Sequence, residues 1–434
     1  MKDNLKVTFT GDALFVADFP KEYVDGDMKG VADYIGSGDV RITNLETNVS
    51  EFGDYASAYS GGTWINTEPE DFKYIEKFGF NYYGTANNHT LDYSYHGLLS
   101  TLEVLDKKGL AHSGSGKSLE EAGAPAILNA NGKKVGIIAV TTSFNMAAKA
   151  GGATPKLKAR PGVNYLSFDT YHQITKEQAE TLNEIAKSTK MNAYNDLLIA
   201  TGFSLPAPEG VLVFGTQKFC FDGSRKKTEC NKADKARLIN SIKDAKKVCD
   251  YVFVLIHCHE IGNTKHEEVP DFFVELSHAC IDAGASAIMG GGTHQLRPLE
   301  IYKGLPIFYS LGDFIYQGMR VKYLPADFLN KYGCPATATA LEGLNARSKG
   351  GKIGLQAEEC NFLTVVPKIE YKDGKMISLE MIPTSLGFNK KGDENGLPYH
   401  AKGEEGEKIF NILSRLSKPY GTELKLDNDV IKLI

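Results

Sequence analysis

Five short polar clusters stand where apolar, strand-like runs end. Gly11-Asp12 follows Lys6 to Thr10, and Asn44-Leu45-Glu46 follows Val40 to Thr43. Asn87-Asn88-His89 follows Tyr82-Tyr83-Gly84. His257-Cys258-His259-Glu260 follows Val252 to Ile256, and three glycines and Thr293 lead from Met289 to His294. Asp, Glu, Asn and His are the ligand set of a divalent-metal site. Ligands of open α/β sheets bind beyond the carboxyl ends of the strands, so the pattern names a place as well as a chemistry. Each cluster also has a plainer reading: a Gly-Asp turn, a cap, a hydrogen-bonded loop, a core histidine. Asp92 either orients His89 or caps the next helix. His257 and His259 share a side if the strand continues. The glycines before His294 let the backbone approach something small. Gly312-Asp313 repeats the pattern, with Asp313 expected behind the ligands rather than among them.

Alternating strands and helices must position these groups. A helix is expected from Pro69 through Phe72, Ile75 and Phe78, ended by Gly79, and another over 96–108 with Leu98, Leu99, Leu102 and Leu105 on one face. Residues 134–142 and 251–256 read as buried strands, 235–248 and 270–283 as helices. Residues 143–235 break the alternation and read as an inserted cap over the strand ends, where Lys156, Lys158 and Arg160 could meet a carboxylate- or phosphate-rich ligand or form a solvated basic loop. Residues 320–360 read as loop. Asp373-Gly374 marks a hairpin between two strand-like runs, and a helix over 404–417 precedes a short polar tail. Ser113-Gly114-Ser115-Gly116-Lys117-Ser118 ends like a P-loop, but Ala111 stands where the first Gly belongs, so it reads as a flexible surface turn.

The 434 residues carry 42% hydrophobic and 24% charged side chains, the balance of a globular protein, with a formal net charge of -5. That charge argues against nucleic-acid binding. It gives no long-range pull on a polyanion, so local Lys and Arg would have to supply one. Seven scattered cysteines without a C-x-x-C pair are no disulfide framework and fit a reducing compartment. Cys249, Cys258 and Cys280 read as buried thiols, and a Cys220–Cys230 bridge is disfavoured. No apolar run is long enough to span a membrane, and no signal peptide is evident. The expected compartment is the cytoplasm for the chain as it stands, or the cell surface if an N-terminal anchor preceded it.

The clusters taken in order, with Asn88-His89-Thr90-Leu91-Asp92-Tyr93, Thr293-His294-Gln295-Leu296-Arg297-Pro298 and Leu311-Gly312-Asp313-Phe314, resemble the bacterial capsule-synthesis CapA family, the poly-γ-glutamate synthesis proteins. Gly114 to Ala122 matches a further family segment. The resemblance covers about residues 5–150 and 235–320. It implies kinship with calcineurin-like metallophosphoesterases: an α/β fold, a four-layer α-β-β-α sandwich over residues 1–395 with 143–235 as insertion, and 396–434 as C-terminal helix and tail.

Carried over by position, the resemblance implies Asp12, Glu46, Asn88, His257 and His294 as metal ligands. His89 would act on the leaving group or hold the substrate, with Asp92 a further catalytic candidate; Asn87, Glu260 and Arg297 are candidates to meet substrate. Two departures remove ligands. Leu14 stands where the phosphoesterases have the His of Asp-x-His, and Gly292-Thr293-His294 keeps one His of their His-x-His. His259 is placed to substitute. At most one tightly held Mn, Zn or Fe ion is therefore expected. Two functions follow: a metal-dependent hydrolase or transferase acting on an anionic polymer or small ester, or a non-catalytic binding or assembly protein with a degraded metal site.

Overall fold

The computed structural model describes residues 4–53 and 55–434; Met1-Lys2-Asp3, expected to lead into the first strand, lies outside the described residues. The chain is a mixed α/β protein. Its larger sheet has ten strands among the described residues. At its centre Asn4–Leu14 pairs in parallel with Val40–Leu45, which pairs with Tyr82–Gly84 and through it Ala111–Ser113. On the other side Asn4–Leu14 runs antiparallel to Leu363–Lys372, and its end pairs in parallel with Asp313–Tyr316. The second sheet has six strands, with Lys133–Thr141, Tyr251–His257 and Ala287–Gly291 parallel at its centre.

The sequence of Tyr251–His257 explains why the sheets pack face to face. All seven residues are buried, as in a strand covered on both sides. Tyr251, Phe253 and Leu255 enter a core shared with Leu5, Val7, Phe9, Val40 and Ile42 of the larger sheet. Val252, Val254 and Ile256 point the other way, onto helices Lys232–Val248 and Asp271–Asp282. The outer face of the larger sheet is covered by Asp27–Gly36, Phe72–Glu76 and Leu105 of Ser94–Lys107. Strand alternation then aims His257 at the other sheet.

One irregularity does the same for Asp12. In Asn4–Leu14, the odd-numbered Leu5, Val7 and Phe9 face the core between the sheets, whereas Ala13 faces the outer helices. The register against Val40–Leu45 shifts between Phe9 and Asp12. This bulge switches the parity and turns Asp12 inward.

Several local expectations change. The first strand does not end before Asp12 but runs on to Leu14. Residues 320–360 are not all loop: they hold helices Ala326–Lys331 and Ala340–Ser348, the second opened by a reciprocal cap between Thr339 and Glu342. The Asp373-Gly374 hairpin forms, both residues at positive φ. The polar tail is also a hairpin, Leu424–Asp427 with Val430–Leu433, turned by Asn428 and Asp429 at positive φ and added to the sheet edge. The segment 113–118 is no surface turn, since Ser113 and Ser115 are buried in strands and Ser118 caps helix Leu119–Ala122. All seven cysteines are free thiols, Cys220 and Cys230 included. No helix among the described residues is long and apolar enough to cross a membrane.

The Asn4–Leu14/Asp313–Tyr316 junction has no slack at Gly11, where a Cβ would sit 1.9 Å from the Gly312 carbonyl oxygen. Gly11→Ala is expected to cost about 1–3 kcal/mol in chemical denaturation, and to shift Asp12 and Asp313, which flank the displaced pair.

Candidate metal centre

The five strand ends meet at one edge of the paired sheets. Asp12 is paired in register with Asn44 on one side and Asp313 on the other. The Asn44 amide ties the sheets together: its Nδ2 lies 2.6 Å from Asp12 Oδ1 and 3.2 Å from His257 Nδ1. The second Asp12 oxygen accepts the Gly292 N–H at 2.5 Å. Gly291 leaves the room for this, since a Cβ there would stand 2.5 Å from the carboxylate. Asn87 holds Asn44 in turn, donating to the Leu45 carbonyl at 2.9 Å and approaching Asn44 Oδ1 at 3.4 Å.

Glu46 lies at the centre of the cluster. It is 0% exposed, and neither carboxylate oxygen has a hydrogen-bond partner. His257 Nε2 is 3.4 Å and His259 Nε2 3.9 Å from Glu46 Oε1, and the two imidazole nitrogens are 3.1 Å apart. Asn88 Oδ1 is 2.7 Å from His257 Nε2, while Asn88 Nδ2 donates to the Gly61 carbonyl. Two sets of donor atoms could hold a metal: Glu46, His257 and His259, and Asp12, Glu46 and Asp313, with Glu46 in both.

The electrostatics follow from burial. Glu46 is pushed well above its ordinary value by desolvation and then by the charges of Asp12, Asp313 and Asp92. Asp12 shows the opposite balance. Desolvation opposes ionisation, but His257 and the hydrogen bonds from Asn44 and Gly292 hold its carboxyl below the usual range. Burial and the neighbouring His257, His294 and His89 push His259 well down, toward the neutral imidazole, whose Nε2 lies 3.1 Å from His257 Nε2. A buried carboxylate with no donor, faced by a neutral imidazole nitrogen, is the surrounding a divalent cation completes. The mixed N/O set suits Mn, Zn or Fe, and the all-carboxylate set favours a harder ion.

Two histidines beside the cluster are each fixed by a carboxylate. His89 Nδ1 lies 2.6 Å from Asp92, whose other contacts are the N–H groups of Gly61 and Ile65. Asp92 therefore orients His89 and does not cap the helix, which starts at Ser94 without a side-chain cap. His294 Nδ1 is 2.9 Å from Asp313, and its backbone is left-handed at φ 60°, a strained conformation for a non-glycine residue. His294 belongs to neither donor set, whereas Asp313, expected behind the ligands, is part of one.

The remaining expected contacts fall elsewhere. Arg297 is 1% exposed, and its guanidinium donates to the carbonyls of His266, Cys258 and Glu260. The Glu260 carboxylate is taken by the hydroxyls of Thr142 and Ser143. Lys156, Lys158 and Arg160 are exposed, and none lines either cavity at the site. The part of 143–235 that does is Ser143 to Ala148, in a cavity of about 440 Å³ with Asn88 and His259. A second cavity of about 310 Å³ reaches His89 and His294. Gly61 lines both, and a Cβ on it would stand 2.4 Å from Asn88 Nδ2 and 2.7 Å from His89 Nε2. Asn44 and Gly61 were not singled out from the sequence. Asn44 stood inside a recognised motif, but nothing local marks Gly61 as the residue that folds over the site.

The raised Glu46 carboxyl has a defined pH signature. A carboxyl with a raised folded-state pKa favours the fold below its ordinary value of 4.5 and loses that contribution as pH rises through the folded value. Chelator-treated protein is therefore expected to lose stability as pH rises from 5 to 8. Glu46→Gln should flatten that loss and raise the melting temperature by about 2–5 °C at pH 8, with the difference closing toward pH 5. Asp92 and Asp313, also raised by burial, leave a residual slope of the same sign.

The bacterial capsule synthesis protein family, PGA_cap, matches residues 6–318. The uncharacterized protein y4sH of Sinorhizobium fredii is 30% identical over 438 residues, covering 99% of this chain and 92% of its own. The PGA biosynthesis protein CapA of Bacillus subtilis is 25% identical over 318 residues, covering 72% of this chain and 64% of its own. The capsule biosynthesis protein CapA of Bacillus anthracis is 24% identical over 321 residues, 72% of this chain and 60% of its own. With 6–318 matched as one continuous stretch that contains every strand end of the cluster, the chain belongs to the bacterial capsule synthesis protein family PGA_cap.

Proposed function

We propose that this protein is a metal-dependent hydrolase or transferase built on a four-layer α-β-β-α sandwich of the metallophosphoesterase type, acting on an anionic polymer or ester of capsule or poly-γ-glutamate synthesis. The observation that carries this reading is the Glu46 carboxylate, fully buried without a hydrogen-bond donor and approached by His257 and His259 Nε2. Glu46, His257, His259 and Asn88 would hold the ion, and Asp12 and Asp313 with Glu46 would offer a second, weaker position. A divalent ion there would supply Lewis acidity toward a substrate oxygen and an attacking water.

The protein's own groups do the rest. Asp92 holds His89 through Nδ1, and Nε2, 3.8 Å from Glu46 Oε1, would exchange a proton with the leaving group. The Gly61 and Ile65 N–H groups fix the Asp92 carboxylate and with it the ring plane. Asp313 does the same for His294. Family membership and the names of the CapA relatives support the capsule assignment.

A second reading, a non-catalytic binding or assembly protein, draws on Leu14. It is an apolar residue in the cavity wall, where the related phosphoesterases have a ligand histidine. Metal content separates the two. After growth in Mn, Zn and Fe, elemental analysis is expected to find one tightly held ion per chain, lost in His257→Ala. Protein that retains no metal under any condition would make the binding-protein reading the better one.

Catalysis is tested with metal-loaded protein on an oligo-γ-glutamate and a chromogenic phosphodiester. His89→Gln should lower kcat about 10²- to 10⁴-fold with metal content unchanged, and Asp92→Asn should lower it less. Wild-type rates in His89→Gln would remove His89 from the reaction.

A further inference from the structure

We propose that Arg347 is the specificity-determining residue of this site, and that the cavity it shares with His89 and His294 receives a carboxylate carried on a short aliphatic arm. This rests on the metal-dependent reading above and names the substrate chemistry that goes with it. Arg347 lies in the last turn of helix Ala340–Ser348, and its guanidinium is held from two directions. Its Nη1 donates to the Gly62 carbonyl and, at 2.5 Å, to Thr63 Oγ1, both from the loop that carries Gly61 over the site. Its guanidinium carbon stands 5.5 Å from the centre of the Phe328 ring, which packs edge-on against Trp64.

Those contacts use one nitrogen and one face. No acidic side chain pairs with Arg347 among the described residues, although the site below it holds Asp12, Glu46 and Asp313. A positioned guanidinium without a carboxylate partner at a cavity wall is a ready receptor for one. The cavity wall carries the apolar Leu14, Ile65, Ile353 and Leu355 and the ring of Tyr316, beside the polar Thr63, Ser348 and Gln356. Methylene groups fit there. The cavity of about 310 Å³ is at the small end of the range for small-molecule pockets, which suits one monomer unit of a chain. A ligand spanning it would present one end to His89 and His294 and its far carboxylate to Arg347.

Calorimetric titration of the metal-loaded protein with glutarate, and with its monoamide glutaramate, tests this. Wild type should bind glutarate about tenfold or more tightly than glutaramate. Arg347→Gln should lose that preference, and Arg347→Lys, which keeps the charge but not the fork, should retain part of it. Metal content and the melting curve of each variant are measured alongside. Equal glutarate affinity in wild type and Arg347→Gln overturns the proposal, as does equal affinity of wild type for the two ligands or no binding of glutarate at all. Tighter binding of inorganic phosphate than of glutarate, lost in Arg347→Gln, would overturn the carboxylate assignment. Should the protein hold no metal and still bind glutarate through Arg347, the metal-dependent reading fails and this one stands. Metal retained with Arg347→Gln unchanged gives the reverse.

Discussion

Three carboxylates buried where two sheets meet impose the constraint around which the site is organised. Asp12, Glu46 and Asp313 place acceptor oxygens within 4.8 Å of one another, all inside the protein. Concentrated negative charge in a water-poor space is unstable unless protons, donors or cations offset it. Asp12 has donors in Asn44 and Gly292 and a nearby imidazole, and Asp313 has His294. Glu46 has none. The imbalance lies at one residue, whose carboxyl is pushed well above its ordinary value by burial and which stands beside His257 and His259.

The backbone shows the same organisation. A regular first strand would bury a hydrophobic residue where Asp12 stands. The bulge between Phe9 and Asp12 reverses the alternation at the point where the apolar core gives way to the polar end. Glycines open the space: Gly291 beside the Asp12 carboxylate, Gly61 above Asn88 and His89, Gly11 against the Gly312 carbonyl. At each, a single methyl group would occupy a position the site needs. The left-handed His294 adds local strain that surrounding packing has to hold.

The two histidine–carboxylate pairs, His89 with Asp92 and His294 with Asp313, share a design. Each carboxylate holds its histidine through Nδ1, and both imidazoles line the same cavity. The loop through Gly61 separates that space from the cavity lined by Ser143 to Ala148 and links it to Arg347 through Gly62 and Thr63. Positioning of the donor set and recognition of the ligand therefore meet in one short loop.

The sequence alone determined the polar strand ends. A change from apolar run to Asp, Glu, Asn or His is local, whereas Tyr251–His257 is apolar on both faces and only the packing of the two sheets shows which way His257 points. The Asp373-Gly374 hairpin was legible for a similar reason, because its turn chemistry lies in two adjacent residues. Tertiary structure decided what depends on distant partners. Arg297 looks like a ligand-binding arginine until three backbone carbonyls from another loop enclose it. Asp313 joined a donor set, and His294 did not, because strand pairing brought Asp313 beside Asp12. The helix carrying Arg347 was hidden in an Ala- and Gly-rich stretch whose one local sign was the Thr339–Glu342 cap. Side-chain alternation along a strand is set within the strand; whether a charge is exposed, paired or stranded is set by what the rest of the chain brings to it.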